Sequence, residues 1–281
     1  MWKDSYLVGV EFIDSQHKEL FNATEELLRI VQIDDVDERK KESLHTVDFL
    51  KGYAASHFAE EEAYQLSVNY SDIDAHKTLH RIFVSTVTNL EKKMIAADFS
   101  VPVLKEIAGF LTSWLIYHIA GIDQKLKRRE RLSEDKAAVI TSYVDCFAKS
   151  AGEVLGTMAE LATTSTVFTK YSGSPDDIRI LIGLVGDNKG EAVFTFTRGL
   201  ALRVIKMMTG MDITEVDEFV FSALCEISNI ISGNASISIY MSGKEIDITP
   251  PKVISGFTGE DNRSGVYVDT ECGRVAVSVS V

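Results

Sequence analysis

Five of the six histidines in this 281-residue chain fall into four groups, two of them at helical spacing. They are His17, His57-x-x-x-Glu61, His76-x-x-x-His80 and His118-x-x-x-x-Asp123. Residues four apart on a helix lie one turn above each other on the same face. His57/Glu61 and His76/His80 therefore each offer two ligands on one stripe. His118 and Asp123, five apart, point about 140° from each other on a regular α-helix. They share a site only inside a narrow interior or across a local distortion. Imidazole and carboxylate without thiolate suit iron or manganese better than a structural zinc. Two six-coordinate metals offer twelve positions; five imidazoles, two bridging carboxylates and one oxo or hydroxo bridge fill all but one. Such a site is built to take a small molecule.

A second constellation lies far downstream, Glu226-x-x-Asn229, followed by Ile231-Ser232-Gly233-Asn234-Ala235. An acid and an amide three apart share a helix face. That spacing alone does not define a chemistry.

Four helices must position the first set. Residues 1–14 read as an arm without helical periodicity. Leu20, Phe21, Leu27, Leu28 and Val31 mark a helix from Ser15 to about Val31. After an acidic turn at 34–37, a second helix from about Glu38 to Ser67 carries Leu44, Val47, Phe49, Leu50 and the His57/Glu61 pair. A third, about Ile73 to Ala97, carries His76, His80, Ile82, Val84, Val87 and Leu90. Ser100 with Pro102 in the first turn starts a fourth, through Trp114 and His118. Short connections imply an up-down, antiparallel four-helix bundle with ligands on every helix.

The basic run Lys125–Arg131 reads as a helix end whose cations suit the macrodipole. Ser133-Glu134-Asp135 reads as a fresh helix cap, which divides the chain into domains 1–132 and 133–281. No Gly or Pro lies between Gly121 and Gly152, so the connection should be short and stiff. Beyond it, a helix from about Glu134 to Ala162 precedes strands at Thr166–Ser172, Arg179–Val185 and Ala192–Thr197. The last two are joined by a hairpin turn at Gly186–Gly190. Leu200–Met208 and Glu215–Ile231 return to helical spacing, and Ala235–Met241 fits either state. Val253–Phe257, Val266–Thr270 and Val275–Val281 complete the strands. The C-terminal half is thus an α+β domain, a largely antiparallel sheet packed against helices.

The first half resembles the bacterial hemerythrins over about residues 1 to 130. The resemblance rests on Trp2, Gly9-Val10, Ile13-Asp14-x-Gln16-His17-x-x-Leu20, His57-Phe58-x-x-Glu61-Glu62, His76-x-x-x-His80 and Trp114-Leu115-x-x-His118-Ile119-x-x-x-Asp123. It implies an oxo- or hydroxo-bridged pair of iron ions and O2 as the ligand. By that resemblance His76, His80 and His118 bind one iron, His17 and His57 the other, and Glu61 and Asp123 bridge them. The open position then falls on the two-histidine iron. Phe21, Phe58, Trp114, Leu115 and Ile119 lie next to a ligand or one turn away and are candidates to line it.

The second half, about residues 142 to 281, resembles the CheX branch of the CheC/CheX/FliY phosphatases. Glu226-x-x-Asn229, the Ile-Ser-Gly-Asn-Ala that follows, and Pro250-Pro251-Lys252-Val253-Ile254 carry the likeness. It makes 235–241 helical and implies action on the phospho-aspartate of a CheY-type response regulator. Asn229 would hold the attacking water, Glu226 would pair with the regulator's lysine, and the Mg2+ would be the regulator's own. CheC carries two such motifs and this chain one, which favours CheX and a homodimer through the C-terminal domain.

Composition agrees with two ordinary globular domains: 45% apolar and 25% charged residues. A net charge of −13 argues against nucleic acid or an anionic membrane as partner. Cys146, Cys225 and Cys272 are isolated thiols, as in a reducing cytosol. The first ten residues lack an apolar signal core and no long apolar run exists, so a cytoplasmic protein is expected. The fusion reads as an oxygen or redox sensor joined to a chemotaxis phosphatase. Two rivals use the same residues: an oxygen carrier or store whose second domain only docks a regulator, and a di-iron peroxide or nitric oxide reductase. The intact ExxN counts against the first, the histidine-rich ligand set against the second.

Overall fold

The computed structural model describes residues 1–127, 143–187, 189–240, 244, 246–255, 260–261 and 263–281. The chain divides into two compact units, Met1–Arg131 and Leu132–Val281. Most of the basic run, the Ser133-Glu134-Asp135 cap and the first part of the helix expected from Glu134 lie outside the described residues.

The first unit is a bundle of four long helices: α1 (Glu11–Ile30), α2 (Val36–Ser67), α3 (Ile73–Ala96) and α4 (Val101–Tyr117). A short α5 (Gln124–Lys127) follows a turn of π-helix at His118–Ile122. Helix α1 begins four residues earlier than its apolar spacing indicates. The buried Asp14 is the reason: its carboxylate accepts the N–H of Val8 at 2.6 Å and of Gly9 at 3.0 Å, tying the arm to the first helical turn. Gly9 has φ +82, a left-handed conformation that glycine adopts without strain. Asp35 caps α2 through the N–H of Glu38 at 2.8 Å, so that helix starts inside the acidic turn. Ser100 is the N-cap residue of α4, with Pro102 in the first turn.

Helical periodicity located α3 but not all of its inward face. Ile82 and Val84 are exposed, and Phe83 and Val87 are buried. Likewise Leu44 and Phe49 of α2 face solvent, whereas Val47 and Leu50 are buried.

In the second unit, α6 (Tyr143–Ala159), α7 (Arg198–Thr209) and α8 (Glu218–Tyr240) pack on an antiparallel sheet. Its strands are β1 (Thr164–Phe168), β3 (Ile178–Gly186), β4 (Gly190–Phe196), β5 (Ile246–Ile248), β6 (Lys252–Ile254), β8 (Gly265–Thr270) and β9 (Gly273–Ser280). The order is β1-β8-β9-β4-β3-β5, and β6 also pairs with β3. β2 (Tyr171–Ser172) and β7 (Glu260–Asp261) form a separate two-stranded ladder.

Two sequence expectations change here. The strand expected over Thr166–Ser172 bends at 169–170 and splits into β1 and β2. The bend lets Phe168 and Tyr171 gather with Tyr267 around Ala276 of β9, with Phe168 and Tyr267 stacked at 4.3 Å. Strand β9 is consequently buried on both faces in its middle, Val275 to Ser278, instead of alternating. The segment 235–240 is helical. Ala235 and Ile239 are buried on the inner face of α8, and that tertiary packing outweighs the strand preference of Ile and Ser.

Candidate functional site

The bundle brings all seven proposed ligands to one place. His17 comes from α1, His57 and Glu61 from α2, His76 and His80 from α3, His118 from the π-turn and Asp123 from its end. All are buried, and Glu61 and Asp123 have no accessible surface.

The seven divide into two overlapping groups. Glu61, His76, His80 and His118 each present a donor atom within 4.8 Å of the others, and so do His17, Glu61 and Asp123. Glu61 Oε2 lies 3.3 Å from His76 Nε2, 3.3 Å from His80 Nε2 and 3.9 Å from His57 Nε2. Asp123 Oδ1 lies 3.3 Å from His118 Nε2 and 3.5 Å from His76 Nε2, and its Oδ2 lies 3.4 Å from His17 Nε2. His57 stands on the His17 side, the two rings 4.8 Å apart. Both carboxylates therefore sit between a three-histidine and a two-histidine group.

The π-turn answers the geometric difficulty in His118-x-x-x-x-Asp123. The N–H of Asp123 donates to the carbonyl of His118 at 2.9 Å, an i to i+5 bond. A widened turn brings the fifth residue back over the first, where a regular α-helix would not.

The atoms left over are those a metal would take. Both ring nitrogens of His17, Nε2 of His57, Oε1 of Glu61 and both oxygens of Asp123 are buried with no hydrogen-bond partner among the described residues. Buried polar groups are almost always satisfied, so their concentration here is a departure. His80 adds a sharper one. Its Nδ1 lies 2.9 Å from Glu62 Oε1, which places the ring proton there. Its Nε2 lone pair then faces His118 Nε2 at 3.1 Å, an arrangement that needs a cation or a proton between the two atoms.

Electrostatics point the same way. Loss of hydration, then the neighbouring His57, pushes His17 down to about 3. Loss of hydration likewise takes His57 down to about 4 and His118 well below its ordinary value. Neutral imidazole is the form that binds metal. Asp123 is raised by burial and then by the charge of Glu61. Burial also acts to raise Glu61, but hydrogen bonds from His76 and His80 outweigh it and hold the carboxyl low. Two carboxylates this close without a cation cannot both ionise freely.

The five candidate lining residues are buried. Phe58 stacks on His80 at 3.8 Å and also meets His57 at 5.5 Å. Trp114 stacks on His118 at 4.3 Å. These two lie chiefly against the three-histidine group. Phe21 packs on the arm, stacked with Tyr6 at 5.5 Å and edge-on to Trp2 at 5.7 Å. Leu115 and Ile119 are wholly buried in and just after α4.

Sequence reading assigned no role to Gln16, Glu60 or Glu62. Gln16 Oε1 accepts from His57 Nδ1 at 3.0 Å, and its Nε2 donates to Glu60 Oε2 at 2.7 Å. The available signal was adjacency: Gln16 precedes His17, and Glu60 and Glu62 flank Glu61. A run of three acids otherwise reads as a solvated helix face.

In the second unit, Asp217 caps α8, accepting from the N–H of Phe219 at 3.1 Å and of Val220 at 3.2 Å. Glu226 and Asn229 are half-buried on its outer face, and Leu224, Ile227, Ser228 and Ile231 are buried on the inner one. Glu226 keeps some surface in solvent. Its carboxyl is nonetheless hemmed in closely enough that lost hydration pushes it up to about 8, against a hydrogen bond from Asn229 that lowers it.

A helical bundle that converges five imidazoles and two carboxylates defines a metal-binding domain. The α+β unit that follows in the chain carries a half-buried acid and amide on one helix face. The family profile described as the hemerythrin HHE cation binding domain matches residues 8–129, and that of the chemotaxis phosphatase CheX matches residues 178–268. The chain belongs to both families, a hemerythrin domain fused to a CheX domain. The CheY-P phosphatase CheX of Thermotoga maritima is 31% identical over 121 residues, 43% of this chain and 77% of that protein. A bacteriohemerythrin of Clostridium acetobutylicum is 28% identical over 125 residues, 44% of this chain and 96% of that protein. The solved structure of chemotaxis protein CheX from Vibrio vulnificus is 28% identical and covers 49% of this chain and 97% of that one, with a TM-score of 0.43.

Proposed function

We propose that the bundle senses oxygen or redox state at a di-iron centre and that the CheX domain dephosphorylates a CheY-type response regulator, so that oxygen sets the lifetime of a chemotaxis signal. The observation that carries the first half is the set of buried, unpartnered atoms on His17, His57, Glu61 and Asp123, converging with the His80 and His118 nitrogens 3.1 Å apart. His76, His80 and His118 would hold one iron, His17 and His57 the other, and Glu61 and Asp123 would bridge them. Bound there, the pair supplies oxygen binding and redox change. The chain's own part is to hold the imidazoles neutral and oriented, and to keep water out. Phe58 and Trp114 restrict the histidine rings by stacking, and Phe21, Leu115 and Ile119 contribute apolar bulk.

The second half is supported by the T. maritima relative, a CheY-P phosphatase, and by the half-buried acid–amide pair on α8. Phosphoryl transfer needs in-line placement of water and charge compensation more than covalent help. The Asn229 carboxamide, which both donates and accepts hydrogen bonds, would orient a water toward the phosphorus. The regulator's aspartate would leave as the P–O bond breaks. Glu226 would pair with the regulator's lysine, and the Mg2+ would come with the regulator.

The test measures decay of a phosphorylated regulator with and without the full chain, alongside its iron content. Faster decay and two irons per chain are expected. Unchanged decay would overturn the phosphatase reading, and under one iron per chain from iron-replete cells the di-iron reading.

A further inference from the structure

We infer that the two metal positions are electronically unequal, because Glu62 enriches the three-histidine position and Gln16 does not enrich the two-histidine one. The inference rests on the di-iron reading above and concerns residues outside the ligand set.

A ligating imidazole commits one ring nitrogen to the metal. The group that accepts the proton of its other nitrogen then fixes the tautomer and sets the ring's donor strength. His80 gives its Nδ1 proton to a carboxylate, Glu62, at 2.9 Å. A charged acceptor makes a stronger hydrogen bond than a neutral one and pushes electron density toward Nε2. His57 gives its Nδ1 proton to an amide oxygen, that of Gln16, at 3.0 Å. The orientation of this amide follows from its other end, because only its nitrogen can donate to Glu60 Oε2 at 2.7 Å. Gln16 therefore stands as a neutral spacer between Glu60 and the ring.

The consecutive acids of α2 thus play three parts. Glu61 points into the cluster, Glu62 reaches His80 directly, and Glu60 reaches His57 only through an amide. A stronger imidazole donor favours the higher oxidation state of its metal. Glu62 would therefore lower the reduction potential at the three-histidine position relative to the two-histidine one. The two-histidine position, to which the open coordination site is assigned, stays reduced longer.

The test is a redox titration of the full iron-loaded chain, followed by visible absorption and by electron paramagnetic resonance of the half-oxidised form. Glu62→Gln keeps the hydrogen bond and removes the charge. It should raise the lower of the two potentials by about tenfold in the one-electron equilibrium, ~59 mV, narrowing the gap and weakening the half-oxidised signal. Gln16→Glu places a carboxylate on His57 and should lower the other potential, also narrowing the gap. At full iron loading, unmoved potentials in both variants, or equal shifts of both potentials, would overturn the inference. Should Glu62→Gln fail to hold iron, Gln16→Glu decides alone. A wild-type chain with fewer than two irons would instead defeat the di-iron reading beneath it.

Discussion

The N–H of Asp123 reaches back five residues to the carbonyl of His118 at 2.9 Å, where an α-helix would have it reach back four. Single π-turns are uncommon and concentrate at functional sites. Here the extra residue turns Asp123 inward. Its carboxylate then lies 3.3 Å from His118 and 3.4 Å from His17 on the opposite side of the cluster.

Inserting one alanine after Ala120 should leave the aspartate about six positions from His118, more than a single π-turn absorbs, and swing it away from the site. Iron, measured by elemental analysis, should fall from two per chain to under one, with helical circular dichroism largely retained. Full iron loading of the insertion variant would show that the turn does not place Asp123.

The Asn229 and Glu226 roles separate by substitution. Asn229→Ala removes the group proposed to hold the water and should slow dephosphorylation ~10²-fold or more, with regulator binding largely intact. Glu226→Ala should weaken both binding and turnover. Near-normal turnover by Asn229→Ala, measured as single-turnover decay of the phospho-regulator, would end the catalytic assignment.

Glu226 should also cost the free protein stability. Lost hydration raises its carboxyl from the ordinary value of 4.5 to about 8. Between these two values the folded state binds more protons than the unfolded state, so stability falls as pH rises through this window. The contribution is fully present below pH 4.5 and lost above about 8. Glu226→Gln, which cannot ionise, should therefore raise the Tm of the CheX domain at pH 8 and leave it nearly unchanged near pH 4. A variant no more stable than wild type at pH 8 would mean that Glu226 ionises without strain.

The sequence marked the seven residues that converge in the bundle because metal chemistry restricts residue type as well as spacing. It could flag His118 and Asp123 as geometrically discordant, but a π-turn has no marker in the segment His118-Ile-Ala-Gly-Ile-Asp123. The hydrogen bonds that orient the histidines were less legible. Gln16 and Glu62 look like surface residues until the fold brings α1 and α3 alongside α2. In the CheX domain β3, β4, β8 and β9 followed β-branched alternation, whereas β5 and β7 are too short to carry such a signal. The outer cover of β9 by Phe168, Tyr171 and Tyr267 carries none either, because it depends on a bend at 169–170 that nothing local dictates. Exposed apolar residues such as Ile82 and Val84 misled the reading of α3 for a similar reason: a helix flanked by two neighbours buries one narrow stripe, and periodicity alone does not fix its phase.

The remaining prediction concerns whether the sensor reaches the phosphatase. Asp123 ends the π-turn and directly precedes α5, Gln124–Lys127, so only a few residues separate the proposed bridging ligand from the unit boundary. Gln124 fixes that end of the bundle, its Nε2 donating to the carbonyl of Tyr6 at 2.8 Å and of Ile119 at 3.2 Å. A change in the bridge therefore acts on a short, pinned segment with no glycine or proline between Gly121 and Gly152 to absorb it. Coupling in the allosteric sense requires that oxygen or redox state shift the balance between two states of the chain, typically by ~1–3 kcal/mol, or about 5- to 150-fold in rate or affinity. Phosphatase rates should accordingly differ among the reduced, air-exposed and iron-free forms. Inserting two glycines after Arg131 should erase that difference while preserving iron content and the separate phosphatase activity. Equal rates in all three forms of the uninterrupted chain would leave a sensor and a phosphatase that share a polypeptide and nothing else.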